Sequence, residues 1–321
     1  MNSRFWQTTS RRKTPDGTVK AAENAPDLAQ IAPGPWLTGR PKKTCVIDVG
    51  GGLRDIYGAG VFDTLMDQGI TFDFGIGISA GAANLSSFLA GQKGRNLVYY
   101  RDYSQRPEYM SVQNVFRKKG FLDLDYIYTT LSNTDGEYPL DFPAIDANPM
   151  DFVTVTTNAV TGRPAYWRKN RYRQDDYELI KCSCALPFAC HPHKVMGMEY
   201  FDGGIADPIP LEKALELGAE KIVLILTRPR DMRRTDKKDR MYAKALRQKY
   251  PKVAAALEQR ARAYNQALEK ALELEEQGKV LILAPVSDQG LKTLTRDPDR
   301  LQAMYDNGLQ DGFLVREFLE N

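Results

Sequence analysis

Residues 44–90 pass twice from a short β-prone run through a glycine-bearing turn into a helical pattern, and this order restricts the fold more than any other feature of the chain. Thr44-Cys45-Val46-Ile47-Asp48-Val49 is apolar and stops at Gly50-Gly51-Gly52, the grammar of a buried parallel strand that feeds a turn. Over residues 58–66, Val61/Leu65 and Phe62/Met66 stand four apart, which gives one helical stripe to lay on a sheet before Gly69 ends it. A second strand over residues 72–78 runs straight into Ser79 and a small-residue helix that stops near Gly91. The same test predicts core strands at residues 152–157, 221–227 and 279–283, with a short helix over 210–218. The spacing predicts an α/β fold with a mostly parallel central sheet.

Of 321 residues, 42% are hydrophobic and 26% charged, ordinary globular values that exclude wholesale disorder. Residues 1–43 hold eight Lys/Arg against three Asp/Glu, so the net charge of +3 belongs to this segment and the remainder is slightly acidic. Its closely spaced prolines and glycines predict an irregular basic N-terminal tail. Residues 44–230 read as the catalytic core. Residues 231–321 read as a helical C-terminal extension with one further core strand near 279–284. Over residues 231–277 the helical pattern is highly charged and sustains no apolar heptad, which predicts an exposed amphipathic arm folded over the domain. Residues 298–319 read as a closing helix.

Four cysteines, three of them crowded at Cys182, Cys184 and Cys190, do not form a secreted disulfide framework and fit a reducing compartment. No run of about 18 apolar residues occurs, and the start has no apolar leader core. A cytoplasmic protein is expected, with at most peripheral contact with a membrane.

Gly77-Ile78-Ser79-Ala80-Gly81 is a G-x-S-x-G sequence placed after a strand and at the opening of a helix, the setting in which it holds a nucleophilic serine on a sharp turn. The bland alternative is a serine that merely caps the helix. Gly50-Gly51-Gly52 can present successive backbone N–H groups to an oxyanion, with Arg54 adding positive charge nearby. No Lys-Ser/Thr pair follows it, so a Walker A phosphate loop is excluded. The chain has two histidines, His191 and His193, neither placed late in the chain as an α/β-hydrolase triad requires. Tyr200-Phe201-Asp202-Gly203-Gly204 offers another base: a carboxylate after a β-prone stretch, with two glycines that allow close approach to the serine.

These three elements in this order resemble the patatin-like phospholipases, serine lipid acyl hydrolases with a Ser-Asp dyad. The resemblance covers about residues 44–228. Gly50-Gly51-Gly52-Leu53-Arg54 matches the oxyanion loop, Gly77 to Gly81 the nucleophile motif, and Asp202-Gly203-Gly204 the aspartate motif. Ser183-Cys184-Ala185-Leu186-Pro187 matches the Ser-x-Ala-x-Pro segment. The resemblance implies a three-layer α/β/α sandwich. It implies Ser79 as nucleophile and Asp202 as base, an oxyanion hole around Gly50, Gly51, Gly52 and Arg54, and Gly77 and Gly81 flanking the elbow. It further implies a lipid or small ester substrate, with no metal or organic cofactor and no nucleic-acid partner. Val49 and Asp55 depart from the pattern, standing where the family often has an acidic residue and usually has glycine. Asp55 can pair with Arg54 and offset its field, or stiffen the loop.

Three other readings were open. Gly75-x-Gly77-x-x-x-Gly81 resembles a dinucleotide fingerprint, with residues 96–102 as the next strand, ending in a ribose-binding acid at Asp102. The cysteines with His191 and His193 suggest zinc, without a C-x-x-C knuckle. A catalytically inactive lipid-binding module would share the fold. The basic run from Arg228 to Arg240, broken by Asp231, Asp236 and Asp239, reads as a solvated face that can meet anionic headgroups.

Overall fold

The computed structural model describes residues 43–116 and 120–321. The expected basic tail, apart from Lys43, lies outside the described residues.

Eight strands form one sheet: β1 Thr44–Asp48, β2 Phe74–Ile78, β3 Asp151–Asn158, β4 Pro164–Arg168, β5 His193–Val195, β6 Met198–Asp202, β7 Lys221–Ile225 and β8 Val280–Leu283. Their order is β5-β6-β3-β2-β1-β7-β8, with β4 paired to β3. Strands β3, β2, β1, β7 and β8 are mutually parallel, whereas β4, β5 and β6 join antiparallel. The strands found from β-prone runs are the parallel ones, buried on both faces. Such strands read as continuous apolar sequence.

Side-chain alternation divides the core into two layers. Val46, Phe152, Val223, Ile225 and Leu283 point to one face, where they meet α1 (Ile56–Asp67), α2 (Ala80–Leu89) and the helix Pro298–Asp311. Cys45, Ile47, Ile76, Ile78, Val153, Ile222 and Leu224 point to the other, covered by the helices Leu211–Glu216 and Pro251–Glu276. The result is the three-layer α/β/α sandwich, with a helical C-terminal region.

The charged stretch after residue 230 differs from the expected exposed arm. It folds as two helices, Lys237–Leu246 and Pro251–Glu276, and the second buries Val253, Leu257, Ala261, Tyr264, Leu268, Ala271 and Leu274. Charged residues stand between these positions, two of which are alanine, so the apolar stripe is less conspicuous in sequence than the face it forms on the sheet. The closing helix is also split, into Pro298–Asp311 and Leu314–Glu320. It docks on α1 through bare backbone: a Cβ at Gly308 would lie 2.0 Å from the Tyr57 carbonyl oxygen.

Residues 96–102, read as a strand under the dinucleotide alternative, are helical, with a π-helical turn over Val98–Asp102. Asp102 is bonded to Arg101 at 2.7 Å. The strand that alternative requires is absent from these residues.

Candidate active site

Ser79 and Asp202 meet because β2 and β6 share one edge of β3. Ile78 pairs with Val155 at the end of parallel β2, and Asp202 pairs with Thr156 at the end of antiparallel β6. Strand β4 takes the opposite edge, pairing with the same Val155 and Thr156. The two strands therefore run toward each other along β3 and stop one residue apart. Ser79, directly after β2, and Asp202, the last residue of β6, come from distant parts of the sequence and line one cavity.

Ser79 has φ 56° and ψ −128°. A non-glycine residue in this region costs on the order of 1–3 kcal/mol and persists only where its surroundings enforce it. Here Ser183 supplies the enforcement. The Ser79 N–H donates to Ser183 Oγ at 2.7 Å, and Ser183 Oγ–H donates to the Val155 carbonyl at 2.7 Å. The flanking glycines are required by close contact: a Cβ at Gly77 would lie 2.8 Å from the Ala82 amide nitrogen, and one at Gly81 2.4 Å from the Asp48 carbonyl oxygen. The Ser79 side chain makes no capping hydrogen bond to its helix, which removes the bland reading of the residue.

Asp202 is 4% exposed. Its backbone is held by the Ala185 carbonyl (3.0 Å) and by the Thr157 hydroxyl (2.8 Å). Burial pushes its carboxyl above the ordinary aspartate value, while hydrogen bonding with Ser79 and from the Gly204 amide pulls it part of the way back. The Gly204 N–H donates to Oδ1 at 2.8 Å, which orients the carboxylate. A buried carboxylate beside a serine hydroxyl is a stronger base than one in water.

The glycine loop divides its amides. The Gly50 N–H donates to Asp48 Oδ1 at 3.0 Å, so Gly50 does not offer the free donor expected of it. Among the described residues, the Gly51 and Gly52 amides donate to no protein acceptor, and both residues line the cavity. Thr227 Oγ1–H bonds the Gly50 carbonyl (2.8 Å), and the Leu53 amide bonds the Thr293 carbonyl (2.8 Å), fixing the loop at both ends. Gly52 lies at φ +61°, and a Cβ there would fall 2.3 Å from the Thr293 carbonyl oxygen.

Arg54 lines the cavity but forms no ion pair with Asp55, contrary to the expectation from adjacency. Burial, with Arg228 nearby, lowers its pKa to about 10. Asp55 turns instead toward Asp48. Nor is the loop strained at Asp55, where φ is −75° and ψ 5°.

The cavity, of about 390 Å³, is lined in part by the apolar Phe121, Leu186, Phe188 and Leu257. Arg54, Arg228, Arg234 and Lys238 line it as well, with Arg234 paired to the lining Asp239 at 3.3 Å, so part of the basic run read as a solvated face looks into the site. No sequence signal separates the two orientations of a charge run, since both are mixed-sign and hydrophilic.

The histidines lie elsewhere. Neither lines the cavity, and His193 Nδ1 is 3.3 Å from Glu178 Oε2. All four cysteines are buried and free. They do not group with the histidines as metal ligands. Among the described residues the group with metal-ligand geometry is Asp125, Glu178 and His193, and Lys181 Nζ already bonds the first two at 2.8 and 2.6 Å. An ammonium there holds the position a cation would take.

Residues 49–215, just over half of the chain, match the family model described as Patatin-like phospholipase. The chain belongs to the patatin-like phospholipase family. A second model, a domain of unknown function, matches residues 250–320. The uncharacterized protein YjjU of Escherichia coli is 32% identical over 220 residues, covering 64% of this chain and 57% of that protein. An uncharacterized NTE family protein of Mycobacterium tuberculosis is 23% identical over 175 residues, 54% of this chain and 46% of the relative. The chain thus spans about half the length of these relatives. The crystal structure of VipD from Legionella pneumophila aligns with a TM-score of 0.44 and 15% identity, over 86% of this chain and 67% of that one. Patatin-like proteins are in general lipid hydrolases, which agrees with a serine and a carboxylate in a cavity lined in part by apolar side chains.

Proposed function

We propose that this protein hydrolyses carboxylic esters of lipids, phospholipids or lysophospholipids, through an acyl-enzyme on Ser79. Asp202 takes the Ser79 proton as Oγ attacks the ester carbonyl, and the Gly51 and Gly52 amides receive the developing oxyanion. Collapse breaks the ester C–O bond, and Asp202 returns the proton to the departing alcohol. Asp202 then deprotonates water, which attacks the acyl-enzyme, releases the fatty acid and restores Ser79. The apolar lining residues suit an acyl chain and the cationic ones an anionic headgroup. No metal or organic cofactor enters this scheme.

The observation that carries the reading is the strained backbone of Ser79 beside a buried, oriented Asp202, under two unengaged amides. No helix among the described residues is long and apolar enough to cross a membrane. In this scheme the protein acts at lipid surfaces from the cytoplasm. Labelling by a fluorophosphonate probe, with a panel of p-nitrophenyl esters and then lipids, tests it. Ser79→Ala should abolish labelling, and Asp202→Asn should lower turnover by about 10²–10⁴-fold. Undiminished labelling of Ser79→Ala, or normal turnover by Asp202→Asn, refutes the dyad. A folded wild-type protein that does not react favours an inactive lipid-binding module.

A further inference from the structure

The glycine loop rests on two buried acids that the proposed chemistry does not use. Asp48 ends β1 and Asp55 precedes α1, and both are 0% exposed. Asp48 Oδ1 accepts the Gly50 N–H (3.0 Å) and Oδ2 accepts Asn84 Nδ2 (3.1 Å). Asn84 Nδ2 also donates to the Asp55 carbonyl (3.0 Å), and Asn84 Oδ1 accepts the Tyr100 hydroxyl (3.0 Å). The helices make room with bare backbone: a Cβ at Gly58 would lie 2.8 Å from both Asp48 Oδ2 and Asp55 Oδ1, and one at Gly81 2.7 Å from Asp48 Oδ1.

The charged and titratable groups facing this pair are few. Arg54 lies beside it on the loop and Tyr100 faces it from the π-helical turn, while α2 offers the uncharged Asn84. Among the described residues neither acid forms an ion pair, and neither Asp55 side-chain oxygen accepts a hydrogen bond from an N–H or hydroxyl donor. Two carboxylates this close, in an interior without a paired cation, do not both stay ionised. A proton on Asp55 directed at Asp48 removes the repulsion and gives the Asp55 carboxyl a partner.

We propose that Asp55 is kept as a carboxylic acid that donates its proton to Asp48, and that this acid–carboxylate pair is the strut that positions the Gly50-Gly51-Gly52 loop. Asp55 is then a positioning residue, acting through Asp48 and the Gly50 amide. Its catalytic meaning rests on the ester-hydrolase reading, whereas the proton bridge itself does not. Burial pushes Asp48 up to about 6, and burial together with the Asp48 charge pushes Asp55 well above the usual range. Raising the pH past the Asp55 value puts two charges in the pair and releases the loop, so kcat/KM should fall on the alkaline side.

Infrared spectroscopy of the whole protein at neutral pH tests the bridge, and pH–rate profiles test its effect. The wild type should show the C=O stretch of a buried carboxylic acid that is missing from Asp55→Asn. Asp55→Asn places an amide N–H where the acid O–H stood, so kcat should stay within about threefold while the alkaline decline disappears. Asp55→Ala should lose about tenfold or more in kcat with KM little changed. Absence of the acid band in the wild type overturns the proposal, and so does an Asp55→Asn profile that keeps the alkaline limb. If Asp55→Ala does not fold, the asparagine variant and the infrared band still decide. If the wild type neither hydrolyses esters nor reacts with the fluorophosphonate, the hydrolase reading fails and the band alone judges the bridge.

Discussion

Removing one hydroxyl behind the nucleophile should relax the backbone that carries it. Ser183 is 0% exposed and joins two buried groups, accepting from the Ser79 N–H and donating to the Val155 carbonyl, each at 2.7 Å. Ser183→Ala removes this partner from both groups. An orphaned buried donor or acceptor costs about 1–3 kcal/mol, so the pair predicts a loss of about 2–4 kcal/mol once the cavity relaxes in part. With a denaturant slope of about 3 kcal/mol per molar urea for a chain of this size, the unfolding midpoint should fall by about 1 M. The same change frees Ser79 to leave φ 56° for an ordinary region, moving Oγ away from Asp202. A displacement of about 1 Å costs up to a hundredfold in rate, so acylation by a fluorophosphonate should slow by about 10- to 100-fold under conditions where the variant is fully folded. Leu268→Ala, a cavity mutation in the helix Pro251–Glu276, supplies the control: comparable destabilisation with an unchanged acylation rate. An unchanged acylation rate in folded Ser183→Ala refutes the reasoning, and an equal loss in Leu268→Ala attributes the effect to stability alone.

Two further predictions concern the base. Asp202 acts ionised and burial raises its pKa, so kcat/KM should climb with pH through a midpoint above the ordinary aspartate value of about 4; a midpoint at the ordinary value would contradict this account of the site. The double variant His191→Ala/His193→Ala should keep wild-type turnover of an activated ester, because both rings lie outside the cavity; loss of activity in a folded double variant would restore a histidine triad.

The portion legible from sequence is local in origin. Ser79 was visible because a strand, a sharp turn and a helix follow one another within a few residues, and Gly77 and Gly81 are forced by contacts inside that unit. Asp202 stood out less. Its strand β6 belongs to a short antiparallel hairpin with half-exposed residues and no apolar run, and the β-prone Tyr200-Phe201 was its main local mark. Other features depend on where side chains turn in three dimensions. The sequence places three glycines in a row but does not say that Asp48 takes the first amide. Adjacency suggested that Asp55 would pair with Arg54, whereas the turn into α1 points the two side chains apart. Arg228 and Arg234 reach the cavity because the chain after β7 runs along its lining, a path no charge count encodes. The buried stripe of the helix Pro251–Glu276 is hard to see in sequence because charged residues stand between its apolar positions.

The meeting of β2 and β6 on one edge of β3 ties the spacing of the reacting pair to β3 and to the Ser183 brace, not to the length of chain between them. Roughly 120 residues separate Ser79 from Asp202, yet the gap is set by one step of a neighbouring strand. Segments of that interval outside β3 and the Ser183 turn can lengthen, shorten or exchange their contents while the two groups stay in register. Such an arrangement lets a lineage revise what it accepts as substrate without reopening the question of how it cuts.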